Sequence, residues 1–414
     1  MPADRTPRSY RFFIVDDDPI AAAAAAAILV KSGHQVEVAD NGADALARIP
    51  ATRPDCVLLD LMMPNTDGFE VCRSLRAYPE LAATKIVVLS SKAYDYDQRR
   101  ARALGADDYL TKPVRPEDLL RTATRLIDDV MELTYWGIRG TLPVPGPRTA
   151  RYGGNTCCVS LTLPSGGLFI FDAGTGLKAL SDNIMAQGKA RVSAHIFISH
   201  PHWDHINALP FFAPLYVPGN AFEILGAPQG DTDVRKMVSD QMDGVYFPVT
   251  VREFGAQLSF RDLTEGTYQI GSVTVRTKLL THPGQCLGYR LEYGGRSFCY
   301  VTDNELYPEG HPQFNARYRR ELDDFVRGAD ILVTDACYTD DDYTRKHGWG
   351  HSTVTEATKF AARAQAKAVH LFHHNPDQTD TDIDAKLTLA QSLLAQSATE
   401  TVAVAPAEGQ TFCL

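Results

Sequence analysis

The sequence predicts an α/β protein in two parts, an N-terminal (βα)5 parallel sheet followed by a sandwich of sheets covered by helices. Three observations predict it. Over the first ~130 residues, short apolar runs alternate five times with helix-length stretches, the pattern of a parallel sheet with crossover helices. From residue 134 the pattern changes to paired strands, and helical stretches return only late in the chain. The length of 414 residues also exceeds what one ordinary core encloses.

The elements follow in order. The first five strands are "RFFIVD", "QVEVAD", "DCVLLD", "KIVVLS" and "DDYLTK". Helices are expected over 20–32, 42–50, 67–77, 95–105 and 116–130. Alanine fills 21–27; it is the best helix former, and the run reads as compositional drift rather than a close helix–helix contact. "DDVMELT" at 128–134 reads as a joint, or as helix continuing out of the first domain. That sets the domains at 1–130 and 131–414. In the second, strands are expected at "TYWGIRG", "CCVSLTL", "GLFIFDAG", "AHIFISH", "SVTVRTKLL" and "GYRLEYGGRSFCYVTD". The last contains the hairpin turn "YGGR". Helices are expected over 316–328, 352–366 and 381–395.

Composition narrows the functional classes. Hydrophobic residues make up 44% and charged residues 22%, and the net charge is −10. Such a balance argues against a protein that coats nucleic acid, whose affinity comes largely from neutralised phosphates. The eight cysteines form no C-x-x-C pair and sit mostly in apolar surroundings, as reduced buried thiols do. "MPADRTPRSYRFF" lacks the apolar region of a signal peptide, and no run approaches the ~20 apolar residues of a membrane span. A cytoplasmic protein without membrane contact is expected.

The first set of chemically distinctive residues lies at strand ends. Asp16 and Asp17 close the first strand, Asp60 the third, Ser90 the fourth and Lys112 the fifth. In a parallel sheet these carboxyl ends share one edge, where ligands bind. Clustered carboxylates suit Mg²⁺, which takes oxygen ligands. Asp60 can then attack a phosphoryl group whose oxygens Ser90 and Lys112 hold. With the motifs "VDDDP", "LLDLMMPNTDGFEVC", "VLSS" and "GADDYLTKP", residues 10–128 resemble the receiver domain of two-component response regulators. The resemblance implies that Asp60 is the phospho-acceptor, that Asp16, Asp17 and Asp60 bind Mg²⁺, and that Ser90 and Lys112 sense the phosphoryl group. It also implies that Tyr109 is the aromatic that rotates inward, that Lys112–Pro113 is cis, and that a sensor histidine kinase is the partner.

The second set is "SHPHWDH", which places His200, His202, Asp204 and His205 in the turn after a strand. Imidazole and carboxylate together suit Zn²⁺, with Mn or Fe as alternatives. Further candidate ligands follow other strands: His282, Asp303, His373 and His374. With "YGGNT", "FDAGTG", "VTD" and "GHST" around H-x-H-x-D-H, residues 134–414 resemble the metallo-β-lactamase fold. Within it they are most similar to the branch of tRNA 3′-processing ribonucleases and cyclic phosphodiesterases. An αββα sandwich with two divalent metal ions is implied. His200, His202 and His282 would hold one metal; Asp204, His205 and His373 the other; Asp303 would bridge them. "HHNP" against the branch's "HFSP" favours His373 over His374. Asp204 counts among the catalytic residues with His351, the general acid of "GHST", and Asp335, its partner, where the branch usually carries glutamate. Asp172 is expected to support a ligating histidine. His195, His311 and His347 are expected to be packed or surface residues.

These implications favour a metal-dependent hydrolase, specifically a phosphodiesterase acting on a small cyclic phosphodiester or cyclic nucleotide. The segment between His205 and His282 has no lysine–glycine-rich arm, which disfavours tRNA. Hydrolysis of a lactone or similar ester, and a non-catalytic metal-binding signalling module, stay open as alternatives. Control by Asp60 phosphorylation is expected to run through pairing into a homodimer or through uncovering the site.

Overall fold

The computed structural model describes residues 8–64, 66–92, 94–187, 191–245, 247–397 and 399–414. The absence of a signal peptide was read partly from residues 1–7, and the motif at 58–72 includes residue 65; these residues lie outside the described ones. Two compact units are present. One is Met1–Met131 with Leu163–Gly167 and Gln187–Arg191; the other is Glu132–Thr162 with Leu168–Ala186 and Val192–Leu414.

The first unit runs β1 (Arg11–Val15), α1 (Pro19–Lys31), β2 (Gln35–Ala39), α2 (Gly42–Thr52), β3 (Cys56–Leu59), α3 (Gly68–Arg76), β4 (Lys85–Ser90), α4 (Asp95–Ala103), β5 (Asp108–Thr111) and α5 (Pro116–Asp128). Its sheet is parallel throughout, in the order β2-β1-β3-β4-β5. Both faces of the central strands β1, β3 and β4 are covered, so these read as nearly unbroken apolar runs, whereas the edge strand β2 is largely exposed. Side chains nevertheless alternate. Phe13 and Val15 pack with Ile49, Phe69 and Leu75 on one face; Phe12 and Ile14 pack with Leu29, Leu119 and Leu126 on the other. The side chains of Asp18, Asn41 and Asp67 accept backbone N–H groups at the starts of α1, α2 and α3.

One expectation needs correction here, and one pair of alternatives resolves in favour of the joint at 128–134. Ala22 and Ala25 are buried with Leu119 and Ala123 of α5, so the alanine run does serve a close helix–helix contact. Helix α5 does not continue outward. Asp129 turns left-handed (φ 51°) and closes it, and the next strand begins at Glu132.

In the second unit the first seven-stranded sheet holds β6 (Glu132–Gly137), β7 (Cys158–Thr162), β8 (Leu168–Phe171), β9 (Ser193–Ile198), β10 (Ala221–Gly226) and β11 (Gln257–Asp262). The second holds β12 (Gly266–Ile270), β13 (Val273–Leu279), β14 (Leu287–Tyr293), β15 (Arg296–Val301), β16 (Ile331–Asp335), β17 (Ala368–Phe372) and β18 (Val402–Val404). The final strand, β19 (Thr411–Cys413), returns to pair antiparallel with β6 in the first sheet. The sheets face each other across aromatic rings, with centroids 5.1 Å apart for Phe171 and Phe298 and 5.0 Å apart for Phe197 and Tyr289. Helices α6 (Leu177–Ala186), α7 (Trp203–Ile206) and α8 (Val234–Asp240) follow strands of the first sheet. Leu177, Leu180 and Val238 pack there on Ile170, Ile196 and Ile224. Helices α9 (Ala316–Val326), α10 (Asp340–Tyr343), α11 (Val354–Arg363) and α12 (Asp380–Gln396) follow strands of the second. Phe325, Phe360 and Leu394 close its outer face over Val301, Leu332 and Leu371. The result is an αββα sandwich. Among the described residues no helix is long and apolar enough to cross a membrane.

Candidate metal centre and phospho-acceptor site

In the first unit the strand ends converge. Asp16 and Asp60 follow β1 and β3 and are buried, Ser90 ends β4 fully buried, and Lys112 follows β5. The Lys112 ammonium lies 2.7 Å from Asp16 Oδ2 and 3.7 Å from Asp60 Oδ1. Burial pushes the Asp60 carboxyl above the usual range; Lys112 pulls it back and Asp16 adds to the rise. Asp17 is exposed next to Asp16. Tyr109 points inward at 6% exposure and donates its hydroxyl to the Lys92 carbonyl at 2.7 Å. Lys112–Pro113 is cis. A Cβ at Gly68 would stand 2.2 Å from the Asp60 carbonyl oxygen, so only glycine lets α3 start this close to the acceptor.

In the second unit, residues from both sheets meet at one end of the sandwich. The turn after β9 supplies His200, His202, Asp204 and His205. From the second sheet come His282 after β13, Asp303 after β15, Asp335 at the end of β16 and His373 after β17. Facing ring nitrogens of His202 and His282 are 3.2 Å apart, and their rings lie 4.3 and 4.6 Å from that of His200. Nε2 of His205 is 3.2 Å from both Asp204 Oδ2 and Asp303 Oδ2. Nε2 of His373 is 3.3 Å from Asp204 Oδ2 and 3.2 Å from Asp303 Oδ1. The same Asp303 oxygen is 3.8 Å from His200 Nε2 and 3.9 Å from His282 Nε2, so this carboxylate reaches both groups. His374 has no hydrogen-bond partner on either ring nitrogen among the described residues. It is buried, with no carboxylate at ion-pair distance among the described residues.

The far sides of the rings are anchored. His205 Nδ1 donates to Asp172 Oδ2 at 2.7 Å, which fixes its tautomer and leaves Nε2 for the centre. Asp172 also accepts the Ser199 N–H and O–H and the Tyr300 hydroxyl, at 2.7, 2.8 and 2.8 Å. His282 Nδ1 donates to the Gly350 carbonyl at 3.0 Å. The Thr141 N–H donates to Asp204 Oδ2 at 2.7 Å. Thr141, Asp172, Asp303 and His373 all hold left-handed backbone, with φ of 68°, 58°, 49° and 56°. Non-glycine residues rarely adopt it, and here it aims a side chain or an N–H at the centre.

The donor set fits divalent metal. Two ligand atoms each about 2.1 Å from one tetrahedral ion lie about 3.4 Å apart, close to the 3.2 Å between His202 and His282. His200 Nε2 and His205 Nε2 are buried without a hydrogen-bond partner, the state of nitrogens that await a ligand bond. Burial and neighbouring imidazoles press His200 well below the usual histidine range, and burial lowers His202 and His282. Neutral imidazole is the form that binds metal. His205 moves the other way. Burial would lower it, but the carboxylates of Asp303, Asp204 and Asp172 together raise it well above the usual range. Three buried carboxylates in one pocket call for positive charge, which divalent cations would supply.

Beside this cluster, His351 Nδ1 lies 2.7 Å from Asp335 Oδ2. Aspartate therefore spans the gap despite its arm being shorter than glutamate's. Asp335 also accepts the N–H groups of Cys337 and Ser352, at 2.9 and 3.3 Å. Burial lowers His351, but Asp335 outweighs it and raises the ring to about 9. The ring stacks on His373 at 4.8 Å and lines an open cavity of about 460 Å³. Of the other histidines, His195 pairs with Glu223 at 3.0 Å, His311 stacks on Tyr307 and His347, and His370 Nδ1 lies 2.6 Å from the Tyr135 hydroxyl. Sequence reasoning did not single out Thr141, Ser199, Tyr300 or Gly350. Only Gly350 left a signal, as a glycine directly before "HST".

Residues 12–124 match the response regulator receiver domain, and residues 168–374 match the beta-lactamase superfamily domain. Protein PilH of Pseudomonas aeruginosa is 39% identical over 117 residues, 28% of this chain and 97% of that protein. Protein PilG of the same organism is 36% identical over 110 residues, 27% of this chain and 82% of that protein. The metallo-β-lactamase fold protein YhfI from Bacillus subtilis superposes with a TM-score of 0.51 at 17% identity, covering 69% of this chain and all of that one. This fold implies divalent metal binding, for which the His and Asp clusters are the candidate sites. The chain belongs to the beta-lactamase superfamily and carries, ahead of its metallo-β-lactamase-fold domain, a response regulator receiver domain.

Proposed function

We propose that the chain is a two-component response regulator whose output is a metal-dependent phosphodiesterase. Residues 1–130 would form the receiver and 131–414 the hydrolase, with a small cyclic phosphodiester or cyclic nucleotide as substrate. The observation that carries this reading is the His351–Asp335 pair, a hydrogen-bonded imidazole at the edge of the ligand cluster, its Nδ1 3.8 Å from Asp303 Oδ1. A phosphodiester needs a proton donor, because its leaving alkoxide must be protonated.

His200, His202 and His282 would hold one cation and Asp204, His205 and His373 a second, with Asp303 shared. Bound divalent cations supply Lewis acidity toward phosphoryl oxygens and lower the pKa of water. The chain's own residues do the rest. Asp172 keeps His205 in its ligating tautomer, and the Thr141 N–H holds Asp204. His351 delivers a proton to the departing oxygen while Asp335 steadies the imidazolium.

In the receiver, Asp60 would take a phosphoryl group from a sensor histidine kinase, with Mg²⁺ on Asp16, Asp17 and Asp60. Such a circuit belongs in the cytoplasm, in keeping with cysteines that form no disulfide among the described residues. The test is a panel of bis(p-nitrophenyl) phosphate, cyclic nucleotides and lactones, on the wild type and on His202→Ala and His351→Ala. Phosphodiester turnover abolished in His202→Ala is expected, and in His351→Ala a ~10²–10⁴-fold loss on the cyclic nucleotides, whose leaving group is an alkoxide, with little loss on the p-nitrophenyl ester and metal content unchanged. Lactone turnover alone would overturn the proposal.

A further inference from the structure

The cavity beside the ligand cluster is also lined by residues that the proposed chemistry leaves without a task, among them Tyr338, Lys346, Trp349 and Asp377. Trp349 is 61% exposed, an uncommon state for so large an apolar side chain. Its backbone is nevertheless pinned on both sides. The buried Glu305 carboxylate accepts the Gly348 N–H at 2.8 Å and the Gly350 N–H at 2.9 Å, and the Tyr343 hydroxyl at 2.7 Å. Gly348 and Gly350 hold φ of 79° and 84°, which glycine adopts without strain. The Gly350 carbonyl accepts from His282, so this loop is tied directly to the ligand cluster. An indole carried on a fixed loop is a stacking surface with little freedom left to lose on binding.

Lys346 stands three residues earlier. Its ammonium sits 4.6 Å over the Tyr338 ring, and among the described residues no carboxylate lies within ion-pair distance of it. It is a cation without a resident anion at the edge of a cavity where a phosphate is to bind.

We infer that Trp349 and Lys346 form a recognition subsite for a nucleotide, the indole stacking on the base and the ammonium meeting phosphate oxygens. The inference rests on the phosphodiesterase reading and narrows its substrate to esters that bear a planar ring. Asp377, exposed on the same cavity, offers an acceptor for a base amine or a sugar hydroxyl.

The test is calorimetric titration of the metal-loaded full chain with thymidine 5′-monophosphate and with inorganic phosphate. Wild type is expected to bind the nucleotide about 10-fold more tightly than phosphate, the scale of one base–aromatic stack. Trp349→Ala should erase that preference, and Trp349→Phe should keep most of it. Lys346→Met should weaken both ligands by a similar factor. Equal affinities in the wild type, a preference that survives Trp349→Ala, or unchanged binding in Lys346→Met would overturn the subsite. Phosphodiester turnover is read separately. If the wild type hydrolyses no phosphodiester while Trp349→Ala still erases the preference, the subsite stands and the catalytic proposal falls.

Discussion

Asp172 makes no contact with the cavity, yet it is the residue on which the ligand cluster leans hardest. Its carboxylate accepts four hydrogen bonds, from His205, from Ser199 twice and from Tyr300. Asp172→Asn would set an N–H₂ donor against donors. Metal affinity is expected to fall about 10–100-fold, measured by competition with a chelator. Asp60 gives a prediction of the opposite sign. Burial raises its folded pKa, so the fold is favoured while the carboxyl is protonated and loses that favour as pH rises through the raised value. In chelator, Asp60→Asn is expected to raise the receiver's melting transition at pH 7, on the order of 2–4 °C. The gain should shrink as pH falls through the carboxylate range. Histidines and aspartates at strand ends were legible in the sequence because their chemistry is distinctive. Tyr300 and Thr141 were not: one acts through a hydroxyl reaching across two sheets, the other through a backbone N–H that any residue carries.

The elements that position the site fall into two groups. Strands β1, β3 and β4 were visible as apolar runs because both of their faces are covered; β2 and β5 followed from the alternation with helices, and β13 to β15 from polar–apolar alternation and the hairpin turn. β11 and β12 were missed. They are edge strands of their sheets and largely exposed, and "QLSFRD" and "GTYQI" are short, with only two apolar residues each. Loops carry the more demanding geometry. A Cβ at Gly140, beyond β6, would stand 2.0 Å from Cε1 of the His373 ring. Gly140→Ala should therefore displace His373 and lower bound metal from two equivalents toward one by elemental analysis, with hydrolysis falling at least ~10-fold. A full complement of metal in this variant would show that the ring has room to retreat.

At the scale of the whole molecule, four candidate ligands come from the first sheet of the sandwich and three from the second, so bound cations would tie the layers together. Ligand binding to the native state alone stabilises it by about 2.7 kcal/mol at 100 times the dissociation constant. In Mg²⁺-free buffer, chelation is then expected to lower the melting transition of the second unit by about 5–10 °C, leaving the first unit's transition in place. Acetyl phosphate with Mg²⁺ should change kcat/KM of the full chain on the order of 5-fold and leave Asp60→Asn unaffected; equal responses would sink the proposed control. The two-domain arrangement was legible because the hydrophobic period and strand spacing change near residue 130. The pieces at Leu163–Gly167 and Gln187–Arg191 that cluster with the first unit were not, since nothing local in a loop records which core it joins. Strand β6 adds a last point. It begins at Glu132, one residue after the first stretch of the receiver unit ends, and it delivers Gly140 and Thr141 to the rim where His373 and Asp204 sit. Six residues of extended chain span about 20 Å, so β6 stands as a stiff rod whose far end feeds the loop that clasps His373 and Asp204.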